Sequence, residues 1–168
     1  MSNFGIEGYQ PEWLSGLSTI SAAHGARLES LVGRSLTRAW VVWDLDNDAW
    51  FADGPVLFDF DGERVEINHY KFDDLSLTWN SVDPTRPIDW PGSPEYPLAW
   101  RDDAIPELAA RHGETLGAVE LSEWTGNDMA NGMVSVRFTL TGGTVNVYNA
   151  LDENGLEFSG ADEQDRDL

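Results

Sequence analysis

The sequence predicts an α+β domain of about eight mostly antiparallel strands, and three observations carry that expectation. The first is an internal repeat: residues 28–67 align without a gap on residues 108–147 at a constant offset of 80. Nine of the forty pairs are identical (Leu28/Leu108, Gly33/Gly113, Leu36/Leu116, Asn47/Asn127, Asp48/Asp128, Val56/Val136, Phe58/Phe138, Gly62/Gly142, Val65/Val145), where chance gives roughly two or three. The second is a period of two in LTRAWVVWDL from Leu36 and in VLFDFDGERVEIN from Val56, both dense in β-branched and aromatic residues. The third is the matched turn signals Asp61-Gly62 and Gly142-Gly143. Together they predict two repeated β-meander units, approximately 28–80 and 108–158, each preceded by a helix. The units lie within a single domain, 1–168, as a curved sheet, a sandwich or a partly open barrel.

Residues 1–10 read as a loose lead-in. From Pro11 the chain can carry a helix with Trp13, Leu17, Ile20, Leu28 and Leu31 inward, weakened by Gly16 and Gly25. A strand from Leu36 stops at the polar turn DLDND, a hairpin follows from Val56, and a fourth strand starts at Leu75. Residues 81–95 hold four prolines in fifteen positions, which excludes a helix or a central strand and reads as a Pro-rich connector. Ile88 and Trp90 are apolar enough to dock on the surface, and Trp100 is expected in the core. A short helix, PELAARHG, ends at Gly113. The second unit then runs in the same order: a strand from Leu116 to Trp124, the turn TGND, the strand MVSVRFTLT, the turn at Gly142 and Gly143, and the strand TVNVYNA. A short charged tail, ADEQDRDL, follows LEFSG.

The net charge of −20 bounds the function. Such a polyanion is repelled by nucleic-acid phosphates and anionic lipid and attracted to basic proteins and cations, so nucleic-acid and membrane binding are not expected. The charge also suits a GC-rich genome or a salt-adapted cytoplasm, since Lys71 is the sole lysine and aspartate outnumbers glutamate. The absence of cysteine removes disulfides, thiolate metal sites and cysteine nucleophiles. The first residues lack the basic and apolar segments of a signal peptide, and no apolar run approaches the about 20 residues of a membrane span. Cytoplasmic residence is the expectation.

Asp44, Asp46 and Asp48, with Asp53 nearby, offer alternating carboxylates. They depart from a calcium loop where Ala49 replaces the bending glycine and Pro55 the closing glutamate. A solvated turn or a contact for a basic partner remains. Asp73 and Asp74 after one strand, and Asp152 and Glu153 after another, correspond if the offset shifts by one residue. They read as turn-capping groups or as a second acidic patch, with Asn154-Gly155 a turn dipeptide able to take positive φ. Neighbouring acids point to opposite faces of a strand, which disfavours a hydrolase pair. His24, His69 and His112 lack zinc spacing and read as surface or capping residues. No nucleophile elbow, phosphate loop or dinucleotide fingerprint is present. Of the eight tryptophans, Trp40, Trp43, Trp79 and Trp124 fall at strand positions and read as structural. Trp50 and Trp90 lie in acid- and proline-flanked turns and suit anchors for a basic surface.

The acidic, tryptophan-rich, cysteine-free strand pattern and the ending NALDENGLEF resemble, at the level of class, the small acidic immunity proteins of bacterial toxin systems. The resemblance implies a cytoplasmic, cofactor-free α+β domain that is not an enzyme and inhibits a cognate toxin by occluding it. The expected function is therefore neutralisation of a basic partner such as a toxin nuclease. Asp44, Asp46, Asp48 and Asp53 would steer it, Trp50 and Trp90 anchor it, and Asp73, Asp74, Asp152 and Glu153 form the second patch, with no catalytic or metal-ligating residue. Two alternatives stand beside it: a small-molecule or metal-binding domain with its site between the repeats, and a structural or assembly subunit. The oligomeric state is left open.

Overall fold

The computed structural model describes residues 5–88 and 97–160. In chain order the elements are β1 (Trp13–Ser15), α1 (Leu17–Glu29), β2 (Leu36–Asp44), β3 (Ala49–Trp50), β4 (Val56–Phe60), β5 (Glu63–Tyr70), β6 (Asp74–Trp79), β7 (Leu98–Arg101), α2 (Pro106–Ala109), β8 (Leu116–Glu123), β9 (Val134–Leu140), β10 (Gly143–Asn149) and β11 (Asn154–Gly160). The strands form two antiparallel sheets and neither closes into a barrel. The larger runs β1-β6-β5-β4-β2-β3, with β7 on the other side of β2, and the smaller runs β11-β10-β9-β8. No helix among the described residues is long and apolar enough to cross a membrane.

The period of two sorts side chains into two cores. Ala39, Val41, Val56, Phe58, Phe60, Val65 and Ile67 of the larger sheet meet Val134, Val136, Phe138, Leu140, Val145 and Val147 of the smaller one in a main core. At its centre the rings of Phe58 and Phe138 lie 4.8 Å apart, with Phe60 at 5.2 Å from Phe138. The alternate positions of the larger sheet, Val42 and Leu57, are covered by Ile6, Tyr9, Val82, Ile88 and Leu98, with Trp40, Phe51 and Trp100 packed against them. Every residue of β4 is therefore buried. At the corresponding outer positions of the smaller sheet stand Glu120, Ser122 and Arg137, all exposed, while Ser135 and Thr144 on the same face are buried, so that face meets water chiefly along β8 and at Arg137.

The sheets are joined by a short seam where β2 and β8 begin. Gly33 N donates to Leu116 O at 2.8 Å and Gly113 N to Leu36 O at 2.6 Å. Leu36 N donates to Glu114 O and Leu116 N to Arg34 O, both at 2.8 Å. Ser35 and Thr115 form the antiparallel bridge between them. Gly33 and Gly113 take φ of 93° and 86° with open space around the missing Cβ, so backbone freedom selects glycine there. Each strand then carries a register irregularity, between Leu36 and Arg38 and between Leu116 and Ala118.

Three expectations are corrected. Trp13 lies in a short strand paired to β6 and not in a helix, because Gly16 at φ 86° turns the chain before Leu17. Glu123 Oε1 of the smaller sheet accepts the Leu17 amide at 3.1 Å, doing the work of the missing side-chain cap of α1. Asn154-Gly155 is not the turn: positive φ falls on Leu151 and Asp152, and Asn154 opens β11 as a buried residue. A matched helix ahead of each meander is not what the elements display, since α1 has thirteen residues and α2 four. The expected connector is described only to Ile88, and Trp90 and the tail from Ala161 lie outside the described residues.

Candidate functional site

Antiparallel order brings one set of connections to one end of both sheets: the β2–β4 link, the β5–β6 turn, the β8–β9 loop and the β10–β11 turn. Asp44, Asp46, Asp48, Trp50, Asp53, Asp73, Asp74, Asp152 and Glu153 all lie in or beside these connections. The two turns touch, since the Lys71 amide donates to Asp152 Oδ1 at 2.6 Å and Asn149 Nδ2 donates to Tyr70 O at 3.3 Å.

The buried side chain that ties this end together is Asn154. Its Nδ2 lies 3.0, 2.8 and 2.7 Å from Ala52 O, Gly54 O and Asn68 Oδ1, and its Oδ1 accepts from the His69 amide at 2.9 Å. His69 Nδ1 lies 3.0 Å from the same oxygen and Nε2 2.9 Å from Val134 O. The amide group is thus oriented by its neighbours: turning it over would aim an oxygen at two backbone carbonyls. The network seats Asp152 and Glu153 beside Asp53. Burial, then the charges of Glu153 and Asp152, hold the Asp53 carboxyl above the usual carboxylate range. Asp74 is raised too, by burial and then by Asp73, with Lys71 opposing.

The remaining predicted residues are placed differently. Asp44 is buried and accepts hydrogen bonds from Asn47 Nδ2 and from the amides of Asp46 and Asn47, of which the Asn47 side chain does most to lower its pKa. It closes the turn and leaves its charge satisfied internally. Asp48 Oδ1 accepts the Trp43 indole N–H at 2.9 Å, and Asp46 is exposed. Trp50 is half-buried against the main core and lies opposite Trp43. Its packing, more than solvent access, defines it.

Beside the acidic turns lies a groove of about 570 Å³, lined chiefly by Trp124, Met129, Met133, Tyr148 and Leu151, with Asp128 and Glu157 in its walls. Trp124, Met129 and Leu151 are 49%, 62% and 46% exposed, an unusual concentration of large apolar surface. Its geometry is braced. Trp124 Nε1 donates to Asp128 Oδ1 at 3.1 Å, and the Tyr148 ring lies across Gly155, where any side chain would collide. Trp124 is therefore not the buried structural aromatic its strand-like spacing predicts. The sequence signal for this site is TGNDMANGM, in which both methionines other than Met1 interrupt an otherwise polar loop. Phe72, 43% exposed, sits in the adjoining β5–β6 turn.

The histidines are corrected as well. His24 and His69 are buried and His112 is half-buried, its Nε2 accepting the Ala39 amide at 3.0 Å. Burial is the largest influence on each and lowers all three pKa values. The unfolded chain, with histidines near about 6.5, then takes up protons before the folded one does. Stability that is fully present above that value is lost as pH falls through it. Carboxylates with ordinary pKa values stay ionised down to about pH 5.5, so histidine protonation is the main titration in this window. The raised Asp53 and Asp74 act with opposite sign, adding stability as pH falls. The urea midpoint is expected to fall between about pH 7 and about 5.5; a midpoint that holds or rises there contradicts neutral, buried imidazoles.

Among the described residues, no group of three or more His, Asp and Glu side chains is arranged to hold a metal ion. Comparison of the chain with protein-family models, with curated proteins and with solved structures gives no match.

Proposed function

We propose that this chain is a non-enzymatic acidic binding protein that neutralises a basic protein by covering its cationic surface, as small acidic immunity proteins do. A nuclease-type toxin in the cytoplasm is the kind of target it suits. The observation that carries this reading is the convergence, at one end of the fold, of the apolar groove around Trp124 with Asp53, Asp73, Asp74, Asp152 and Glu153. Charge of one sign speeds encounter with a cationic partner, while desolvated aromatic and thioether groups supply most of the affinity. The anchor thereby moves from Trp50 to Trp124, with Met129 and Leu151 beside it.

The test is a pull-down of the tagged chain from its native host at low and high salt, followed by affinity measurement on the protein retained. Trp124→Ala is expected to weaken that complex by about 30-fold or more, equivalent to about 2 kcal/mol. Asp152→Asn with Glu153→Gln is expected to slow association several-fold at low salt and to change little at high salt. Unaltered affinity in Trp124→Ala would sink the anchor, and a salt-independent complex would sink the electrostatic part. A thermal shift with a metabolite, lost in the same Trp124 variant, would favour a small-molecule site instead.

We propose further that the two meanders are copies of one unit. The reciprocal hydrogen bonds of the seam support this, as does the offset of 80 that persists from β6 to β11 without the one-residue shift the acid pairs suggest. The unequal helices do not count toward it.

A further inference from the structure

We infer that the open edge of β8, together with α1, is a strand-addition site for an extended partner segment that alternates apolar residues with Arg or Lys. The inference rests on strand edges and not on the Trp124 groove. On β2 the edge turned away from β4 is filled: Ala39 N donates to His112, Val41 to Asp44 pair with β7, and Leu45 N donates to Pro97 O. The matching positions on β8 are Val119, Leu121, Glu123 and Thr125. There the Trp124 amide is turned toward Met133 O. Alternation of an antiparallel ladder then aims the N–H and C=O of Leu121 and Glu123 away from β9. Among the described residues no strand pairs with β8 on that side.

Between β8 and α1 runs a groove of about 430 Å³ lined by Leu17, Ser21, Gly25, Leu28, Val119 and Leu121. Ser21 and Gly25, one helical turn apart, leave room, and the four larger residues offer an apolar floor. β7 indicates the occupant, because its sequence Leu-Ala-Trp-Arg is what β2 accepts on the corresponding edge. Glu29 and Glu120, both exposed beside the groove, favour cationic side chains at the positions that face water, while Glu123 holds the Leu17 amide.

The probe is a peptide with the sequence of residues 97–101 flanked by lysine pairs, titrated into the full-length isotopically labelled chain. Saturable amide shifts are expected along Leu121–Glu123 and on the α1 face, with at least tenfold slower solvent exchange at Leu121 and Glu123. Leu121→Pro removes one outward N–H and keeps the β9 ladder, a change an edge strand tolerates, and is expected to weaken binding at least tenfold. Should that variant not fold, the same peptide N-methylated at alternate positions is expected not to bind. Trp124→Ala is expected to leave peptide affinity unchanged, which separates this site from the groove. Absence of saturable shifts at about millimolar peptide, undiminished binding of the N-methylated peptide, or amides already protected in the free chain as strongly as those of β9 would each overturn the inference. Self-association that perturbs the same amides would assign the edge to a second copy and overturn it too.

Discussion

Asn154→Ala is expected to lower the unfolding free energy by about 3–5 kcal/mol, read as a shift of the urea midpoint without loss of slope. The side chain holds no single strong bond. Its two N–H hydrogens are shared among Ala52 O, Gly54 O and Asn68 Oδ1 while its Oδ1 accepts the His69 amide; truncation takes these contacts from Gly54 O and His69 Nδ1, whereas Ala52 O keeps the Asn154 amide and the His69 amide keeps Asn68 Oδ1. Each group left without a partner costs about 1–3 kcal/mol, part of which local opening to water recovers. Asn154→Asp separates geometry from size. A carboxylate has no hydrogens for the three oxygens it would face, so this variant is expected to be less stable than Asn154→Ala near neutral pH and to recover on acidification. A loss below about 1 kcal/mol in Asn154→Ala would mean that the network is a decoration of the turns rather than their attachment.

Phe138→Ala is expected to cost about 3–5 kcal/mol, because the ring is fully buried between two sheets that cannot both collapse onto the void. Its contacts with Phe58 and Phe60 cross from one sheet to the other, so the loss falls on the docking of the sheets more than on either alone. A double-mutant cycle with Phe58→Ala is expected to give a coupling of about 0.5–3 kcal/mol, since the two rings share one cavity. Strict additivity would place the two rings in separate cavities, against the 4.8 Å spacing.

The strands were legible because their side chains alternate against a core: Val56, Phe58 and Phe60 announce β4, and Asp61-Gly62 announces its hairpin. Where local pattern and tertiary contact disagreed, contact won. Trp13 sits within an apolar spacing that suits a helix, yet pairing with Ser76 in β6 makes it a strand residue. Asn154 has the composition of a turn, yet hydrogen bonds to Ala52 O, Gly54 O and Asn68 Oδ1 hold it at the start of a strand. β7 was hidden because four residues after a proline-rich stretch carry no periodic signal of their own; only β2 defines them. The acidic half of the candidate site could be read from residue type, and the structure gathers those residues at one end. Its apolar half could not. Exposure of Trp124 depends on what fails to cover it, and no local spacing encodes an absence of neighbours.

The seam at Ser35 and Thr115 also orders events in time. Hairpins such as β4–β5 and β9–β10 join near neighbours in sequence and close in about microseconds. The seam joins residues 80 positions apart and must wait until loop-closure entropy is offset by the docking of whole sheets. The seating of the 150–153 turn on the 51–55 link is a contact of that late kind, with Asn154 bridging about a hundred positions to Ala52. The acidic turns of the proposed partner surface are thus expected to come together late, with the docking of the sheets, whereas the Trp124 groove lies wholly between residues 124 and 157 and needs only the β8–β11 meander, so a half-folded molecule has its anchor before its charges are gathered.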